Sequence, residues 1–200
     1  MEILVVDGGS TDSSVEVATR YGARVLTSAP GRAIQMNTGA RQANGELLYF
    51  LHADSFPPKG FDTCIRMADA SGKGSGCFRL VFDNPSRVLR GFAWFTRLNW
   101  RICRGGDQSL FIRKSWFETL GGYNPRFIIY EDNEFTGRIY AQYPFTVLPE
   151  TIRTSARAYE RIGVWRLQYH FAIIHLKRLL GTSPEGLYTY YRKYIRNGAA

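Results

Sequence analysis

The sequence predicts an α/β fold in which a mostly parallel sheet is covered by helices and followed by a helical carboxyl-terminal extension. Three observations carry this. Short apolar runs alternate with helical patterns up to residue 82, and that β-α-β-α-β order asks for a covered, largely parallel sheet. The first run, Ile3-Leu4-Val5-Val6, leads straight into Asp7-Gly8-Gly9-Ser10-Thr11-Asp12, a polar turn at a strand's carboxyl end, where open α/β sheets take their ligands. After residue 160 the strand signal gives way to amphipathic helices.

Each element has its own signal. Residues 2–6 form the first strand; Gly8 and Gly9 let the chain turn tightly and approach a ligand closely. Ser13 and Glu16 have the spacing of a capping box, opening a helix over about 13–21 whose free amides can meet an anion. A strand at 24–26, a helix over about 32–43 closed by Asn44-Gly45, and a strand at 46–51 follow. Pro57-Pro58 precede a helix reaching about residue 70, and 77–82 reads as a strand. The pattern is then less regular: a helix over 86–103, a strand at 109–112, a helix over 131–141, a strand at 145–148 and two helices after Arg161. Residues 1–160 are expected to form the α/β unit and 161–200 the amphipathic extension. The chain opens on the strand of the ligand turn with no β-α unit before it, so that strand is expected to lack one neighbour.

At 200 residues and 44% hydrophobic content, the chain suits one domain with a real core. The 26 Lys and Arg against 17 Asp and Glu give a formal charge of +9, which favours an anionic partner: nucleotide phosphates, an acidic membrane surface or nucleic acid. No helix-turn-helix or recognition module is visible, so nucleic acid is not expected. Cys64, Cys77 and Cys103 are odd in number and far apart, which supports neither a disulfide framework nor a zinc site and suits a reducing cytosol. There is no run of 18 apolar residues and the first residues are strand-like. Neither a spanning helix nor a signal peptide is expected, so any membrane contact is peripheral.

Two segments carry candidate chemistry. The apolar run 47–51 ends in His52-Ala53-Asp54, placing an imidazole and a carboxylate on one side of a strand end. Asp54 is a hard oxygen donor suited to magnesium or manganese, and the imidazole tilts the choice to manganese. The plainer alternative is a strand end before a Pro-Pro turn, with His52 held by backbone. Farther on, Gly121-Gly122-Tyr123 leads to Tyr130-Glu131-Asp132 at a helix start, where the helix dipole alone favours carboxylates; a general base there also needs an acceptor within reach.

Residues 86–106 contain no acid, and Arg87, Arg90, Arg97, Arg101 and Arg104 recur beside Val88, Phe92, Phe95 and Ile102. Such a helix either lies on an anionic membrane or packs on the sheet with its arginines in water. Residues 164–180 are apolar nearly all round, interrupted by Arg166, His170, His175, Lys177 and Arg178, which suits a buried or interfacial helix. His170 and His175 are five apart, so they do not share a metal on one helix face and read as packing residues.

In this order and at these separations, the elements resemble family 2 glycosyltransferases of the GT-A fold, from residue 2 to about residue 160. The Asp7–Asp12 turn is similar to their first nucleotide-binding turn, and Gly31-Arg32-Ala33-Ile34-Gln35-Met36-Asn37 to the helix that follows. His52-Ala53-Asp54 resembles their Asp-x-Asp metal motif and Glu131-Asp132 their catalytic pair. The likeness is closest to a bacterial subgroup with Gly-Arg-Ala-x-Gln-Met-Asn, Leu-His-Ala-Asp, Gly-Asp-Gln and Thr-Ser-Ala-Arg, the last two present as Gly106-Asp107-Gln108 and Thr154-Ser155-Ala156-Arg157.

The resemblance implies transfer of a sugar from a nucleoside diphosphate sugar to an acceptor hydroxyl, with inversion and with Mn2+ or Mg2+. It implies that Asp7, in the turn of Gly9, contacts the base or ribose and that Arg32, on the helix of Asn37, lies near the nucleotide phosphates. Gly9, Asn37, Asp107, Gln108 and Arg157 are further substrate-binding candidates. Asp54 with His52 would hold the metal, and Asp132 would be the general base with Glu131 beside it. His52 stands where the family usually has its first Asp, as in its close relatives. The family's first strand, with its loop over the base, has no counterpart, which predicts weaker donor binding and an exposed edge prone to self-association. Two alternatives stay open: a degenerate, non-catalytic member that needs a partner, and a nucleotidyltransferase in which Glu131-Asp132 has no base role. The expected acceptor is hydrophobic or lipid-linked, met by a cytoplasmic protein at the inner membrane face.

Overall fold

Strands β1 (Leu4–Asp7) and β2 (Arg24–Thr27) pair in parallel, Leu4 opposite Arg24 and Asp7 opposite Thr27, with helix α1 (Ser14–Arg20) as the crossover. The computed structural model describes residues 1–197. In this pair Arg24 N donates to the Ile3 carbonyl (3.0 Å) and Ser28 N to that of Asp7 (2.9 Å). Alternation along the strand turns the Val6 carbonyl to the other edge, where Gln35 Nε2 donates to it at 2.8 Å. Among the described residues β1 has β2 as its one strand neighbour.

Helix α2 (Arg32–Gln42) leads to the second sheet, built from β3 (Leu47–Phe50), β4 (Ser55–Phe56), β5 (Ser75–Phe82), β6 (Leu110–Arg113) and β7 (Thr146–Thr154) in the order β3-β6-β5-β7-β4. The expectation of a mostly parallel sheet needs correction here. β5 and β7 run parallel, but β3–β6, β5–β6 and β4–β7 are antiparallel. Strand direction is set by where the chain returns after long connections, which no local apolar pattern encodes.

Helices α3 (Phe61–Ala70), α4 (Arg87–Phe95), α5 (Lys114–Thr119) and α6 (Glu131–Gln142) cover the sheet, and α7 (Arg157–Ile162), α8 (Val164–Leu179) and α9 (Pro184–Tyr191) close the chain with a π turn at Arg192–Arg196. One core lies under α2 and α6, with Leu48, Ile112, Phe117, Tyr123, Phe135 and Ile139; another lies under α3, with Ile65, Phe78, Phe111 and Ile152. A third joins the carboxyl-terminal helices to α4 and the loop before α6, packing Leu167, Ile174 and Leu187 on Leu89, Phe127 and Ile129.

Two local expectations also change. The helix expected over 86–103 stops at Phe95, because Thr96 Oγ1 donates to the Ala93 carbonyl (2.6 Å) and accepts from Leu80 N (3.0 Å), drawing the chain onto β5. A single 3-10 turn, Arg101–Cys103, follows. Arg104, expected in an arginine stripe facing a membrane or water, is buried and donates to the carbonyls of Thr96 (2.8 Å) and Leu98 and to Cys77 Sγ (3.0 Å). At α1 the cap is Asp12, whose Oδ1 accepts from Ser14 N at 3.0 Å, while the Ser13 side chain makes no capping bond.

Candidate active site

Strand and helix ends from five parts of the chain converge on one cleft. β3 delivers His52 and Asp54 just past its carboxyl end, α2 brings Arg32 in its first turn, and α6 opens with Glu131 and Asp132. The 3-10 turn Gly106–Gln108 adds Asp107, and α7 starts at Arg157. Ionisable side chains meet across these elements. Arg32 Nε lies 2.6 Å from Glu131 Oε1, His52 Nε2 lies 3.9 Å from Asp132 Oδ2, and Arg157 Nη2 lies 3.5 Å from Asp54 Oδ2.

Burial decides which of these groups are unusual. Glu131 is fully buried and its pKa is pushed up to about 7, first by loss of water and next by the Asp132 charge, with Arg32 pulling it back. The Arg32 contact lacks hydrogen-bond alignment, so both Glu131 oxygens are without a donor among the described residues. For Arg32, burial lowers the pKa, but Glu131, Asp132, Asp107 and Tyr191 outweigh it and the net shift is upward. Asp107 keeps accessible surface, yet protein atoms packed round its carboxyl raise its pKa, His52 and Arg32 lower it, and Asp54 and Asp132 raise it further.

The frame behind these groups is tightly specified. Asn37 Nδ2 donates to the Tyr123 carbonyl (2.7 Å) and Asn37 Oδ1 accepts from Tyr123 N (2.8 Å), clamping α2 to the loop that feeds α6. Gly122 is needed there: its φ is 69°, and a Cβ would meet Asn37 Oδ1 at 2.6 Å. Arg138 donates to the Gly122 carbonyl (2.7 Å) and to both oxygens of Glu134 (2.8 Å each), locking the same loop to α6. Tyr130, immediately before the acidic pair, sits at φ 70°, a left-handed conformation that a non-glycine residue adopts only under constraint. Its hydroxyl meets His175 Nδ1 of α8 at 3.0 Å.

Behind Asp132 a cavity of about 10 Å³ is lined by His52, Tyr123, Asp132 and Thr136 among others, room for a single water. The buried Tyr123 hydroxyl is without a partner among the described residues.

Of the residues singled out in the sequence, Arg32, His52, Asp54, Asp107, Glu131, Asp132 and Arg157 come together in this cleft. Asp7 is held in its own turn at the end of β1, its Oδ2 accepting from Gly9 N (3.0 Å) and Oδ1 from Ser10 N (3.1 Å). Hydrogen bonds from Ser10, side chain first, and from Gly9 lower its pKa. Gly9 has φ 102°, open to glycine alone without strain. Asn37 commits both polar atoms to Tyr123, and Gln108 is buried with Oε1 accepting from Gly105 N at 3.2 Å. Sequence reasoning did not single out Arg138 or the Tyr130–His175 contact; the one available signal for Tyr130 was its place before the acidic pair. Among the described residues no three His, Cys, Asp or Glu side chains are drawn together as a metal site.

Residues 1–112 match the family described as Glycosyl transferase family 2. The chain is 30% identical over 154 residues to the PGL/p-HBAD biosynthesis glycosyltransferase of Mycobacterium bovis (strain BCG / Pasteur 1173P2), covering 70% of this chain and 58% of that protein. It therefore spans less than two thirds of the length of that relative. Among solved structures it is similar to the mannosyltransferase PcManGT from Pyrobaculum calidifontis, in complex with GDP-Man and Mn2+, with a TM-score of 0.64 at 20% identity, covering 99% of this chain and 59% of that one. It is also similar to S. aureus TarS 1-349 in complex with UDP, with a TM-score of 0.62 at 19% identity, covering 77% and 51% of the two chains. At those identities the likeness establishes the α/β fold, and the match over more than half of the sequence establishes the rest: the chain belongs to glycosyl transferase family 2.

Proposed function

We propose that this cleft transfers a sugar from a nucleoside diphosphate sugar to an acceptor hydroxyl with inversion at the anomeric carbon. The observation that carries the reading is the convergence of Arg32, His52, Asp54, Glu131 and Asp132, one cation-bearing helix and one acid-bearing helix facing each other across the end of β3. Solved structures of similar fold hold GDP-Man with Mn2+ and UDP, which supports a nucleotide-sugar donor.

Each residue has a role in that reading. Asp7 and Gly9 receive the base or ribose, while Asp107, Gln108 and Arg157 flank the donor. Arg32 keeps part of its guanidinium exposed beside Glu131, so its remaining donors can neutralise the leaving diphosphate. Asp132 takes the proton of the acceptor hydroxyl as that oxygen bonds to the anomeric carbon, and the bond to the diphosphate breaks with its electron pair going to the leaving group. Attack from the face opposite the diphosphate inverts the centre.

A divalent ion fits the donor set on chemical grounds. Asp54 is a half-exposed hard oxygen donor next to His52, and Mg2+ or Mn2+ characteristically binds one or two carboxylates together with substrate phosphates. Asp54 and His52 would hold it, supplying positive charge to the diphosphate. The acceptor is read as lipid-linked, reached by peripheral contact of a cytoplasmic protein with the inner membrane face through its basic, aromatic helices, and self-association through the β1 edge belongs to the same reading. Thermal shift against a panel of nucleoside diphosphate sugars, with and without Mn2+, tests it: metal-dependent stabilisation by at least one donor is expected, and none with any donor overturns it.

One observation favours a second reading, a non-catalytic member completed by a partner: among the described residues β1 pairs with β2 alone, and its sheet is separate from the one that leads to His52. Donor binding without turnover over any acceptor would select it.

A further inference from the structure

Helix α8 is apolar on its outer side as well as on its buried one. Its buried face is Leu167, His170 and Ile174, while Trp165, Tyr169, Ala172, Leu176 and Leu179 follow at i, i+4, i+7, i+11 and i+14 and all face solvent. Trp165 is 70% exposed, Leu176 50% and Leu179 82%. An ordinary surface helix has a polar solvent face; this one adds an apolar stripe there, about 21 Å long at 1.5 Å per residue. The stripe is continuous with α4 through an edge-to-face contact of Phe92 and Trp165 at 6.0 Å, and α4 exposes Trp94 and Phe95.

The charges of the two helical segments themselves have one sign. No acid occurs in residues 86–106 or 161–184, and Arg87, Arg90, Arg97, Arg161 and Arg166 are exposed on these two segments. We infer that the outer face of α8, continued by α4, is the surface by which this protein lies on an anionic lipid bilayer, with Trp165, Tyr169, Leu176 and Leu179 entering the interface. The inference rests on the peripheral membrane contact of the proposed function and assigns it to particular residues. Indole and phenol rings suit the boundary between headgroup and acyl chain, and arginines around an apolar stripe meet acidic headgroups. A second copy of this chain is the poorer occupant. A two-fold contact sets the same patch on itself, and here that would bring arginines against arginines with no acid between them.

The test is flotation of the full chain with vesicles of phosphatidylcholine alone or mixed with phosphatidylglycerol. Binding only to the mixed vesicles, a blue shift of tryptophan emission and release at high salt are expected. The double variant Leu176→Glu/Leu179→Glu changes two exposed positions and is expected to lose at least about tenfold in vesicle affinity, with its melting temperature unchanged. Trp165→Ser, at the far end of the stripe, gives an independent check should the double variant fail to fold. Variants that bind as well as the natural chain overturn the surface while leaving peripheral contact standing. A natural chain that ignores mixed vesicles overturns both. Equal binding to neutral vesicles overturns the charge argument, and a variant that dissolves a dimer without altering lipid binding assigns the stripe to a second copy.

Discussion

Arg32 Nε and Glu131 Oε1 stand 2.6 Å apart, and that contact joins the first turn of α2 to the first turn of α6. Glu131 is fully buried and Arg32 half-exposed, so the pair is a buried anion facing a cation that can still reach the cleft. Removing the cation strands the anion. A fully buried pair broken on one side loses about 3–5 kcal/mol, and the half-exposed arginine brings the expectation here to about 1–2 kcal/mol. Arg32→Gln should therefore be less stable at pH 8 and nearly as stable as the natural chain at pH 5, where Glu131 is protonated in both. Urea melts at the two pH values check this; an equal loss at both would make the arginine's contribution one of packing.

Glu131 itself sets a pH dependence. Its folded pKa of about 7 lies above the ordinary value of 4.5, with burial as the main cause. Between those values the folded state binds the extra proton, so stability falls as pH rises. The contribution is complete below pH 4.5 and lost as pH passes through about 7. Thermal melts from pH 5 to 8 should show this slope, and Glu131→Gln should flatten it. A variant with the same slope would place the titration elsewhere.

Asp132 is the expected base, and its shape-preserving replacement is the sharpest probe of turnover. Asp132→Asn keeps the shape of the side chain but cannot accept the acceptor's proton, so kcat should fall by about two to four orders of magnitude with donor affinity kept. Retention of most of the rate would assign Asp132 to the frame that holds His52.

Asp54 separates ligand binding from folding. Its contact with Arg157, at 3.5 Å between exposed side chains, is of the kind that contributes at most about 1 kcal/mol. Asp54→Ala should leave the melting temperature nearly unchanged and abolish Mn2+-dependent nucleotide binding in calorimetry. Unaltered affinity would remove Asp54 from the metal role.

What the sequence displayed were local endings: the Asp7-Gly8-Gly9 turn, His52-Ala53-Asp54 past a strand, Glu131-Asp132 opening a helix. Each is fixed by neighbours a few residues away, and each stands at the end of the element expected. The partnerships across the cleft were not legible, because Arg32 meets Glu131 only after the sheet has brought distant segments back together. Arg104 shows the same limit: it shares the helical spacing of the exposed arginines, and only the turn at Thr96 and the thiol of Cys77 reveal it as a buried donor. Asn37, in a motif read as substrate-binding, also clamps the Tyr123 backbone 86 residues away, and strand direction escapes the sequence for the same non-local reason.

The last prediction concerns Tyr130, whose left-handed backbone aims the acidic pair and whose hydroxyl meets His175 at 3.0 Å. A non-glycine residue at this φ costs about 1–3 kcal/mol and persists only where its surroundings over-determine it, and the bond to α8 is one of those restraints. His175→Phe keeps a ring in the same packing space but removes the hydrogen-bond partner. If α8 positions the acidic pair, the variant should lose about tenfold or more in kcat, since small displacements of a catalytic group are costly, while KM for the donor changes little. Its stability should fall by only about 1 kcal/mol, the worth of one hydrogen bond. Tyr130→Phe should reproduce the kinetic loss, because both changes remove the same bond. Unchanged kcat in both variants would show that the loop clamp of Asn37 and Arg138 holds Asp132 in place without help from the carboxyl-terminal helices.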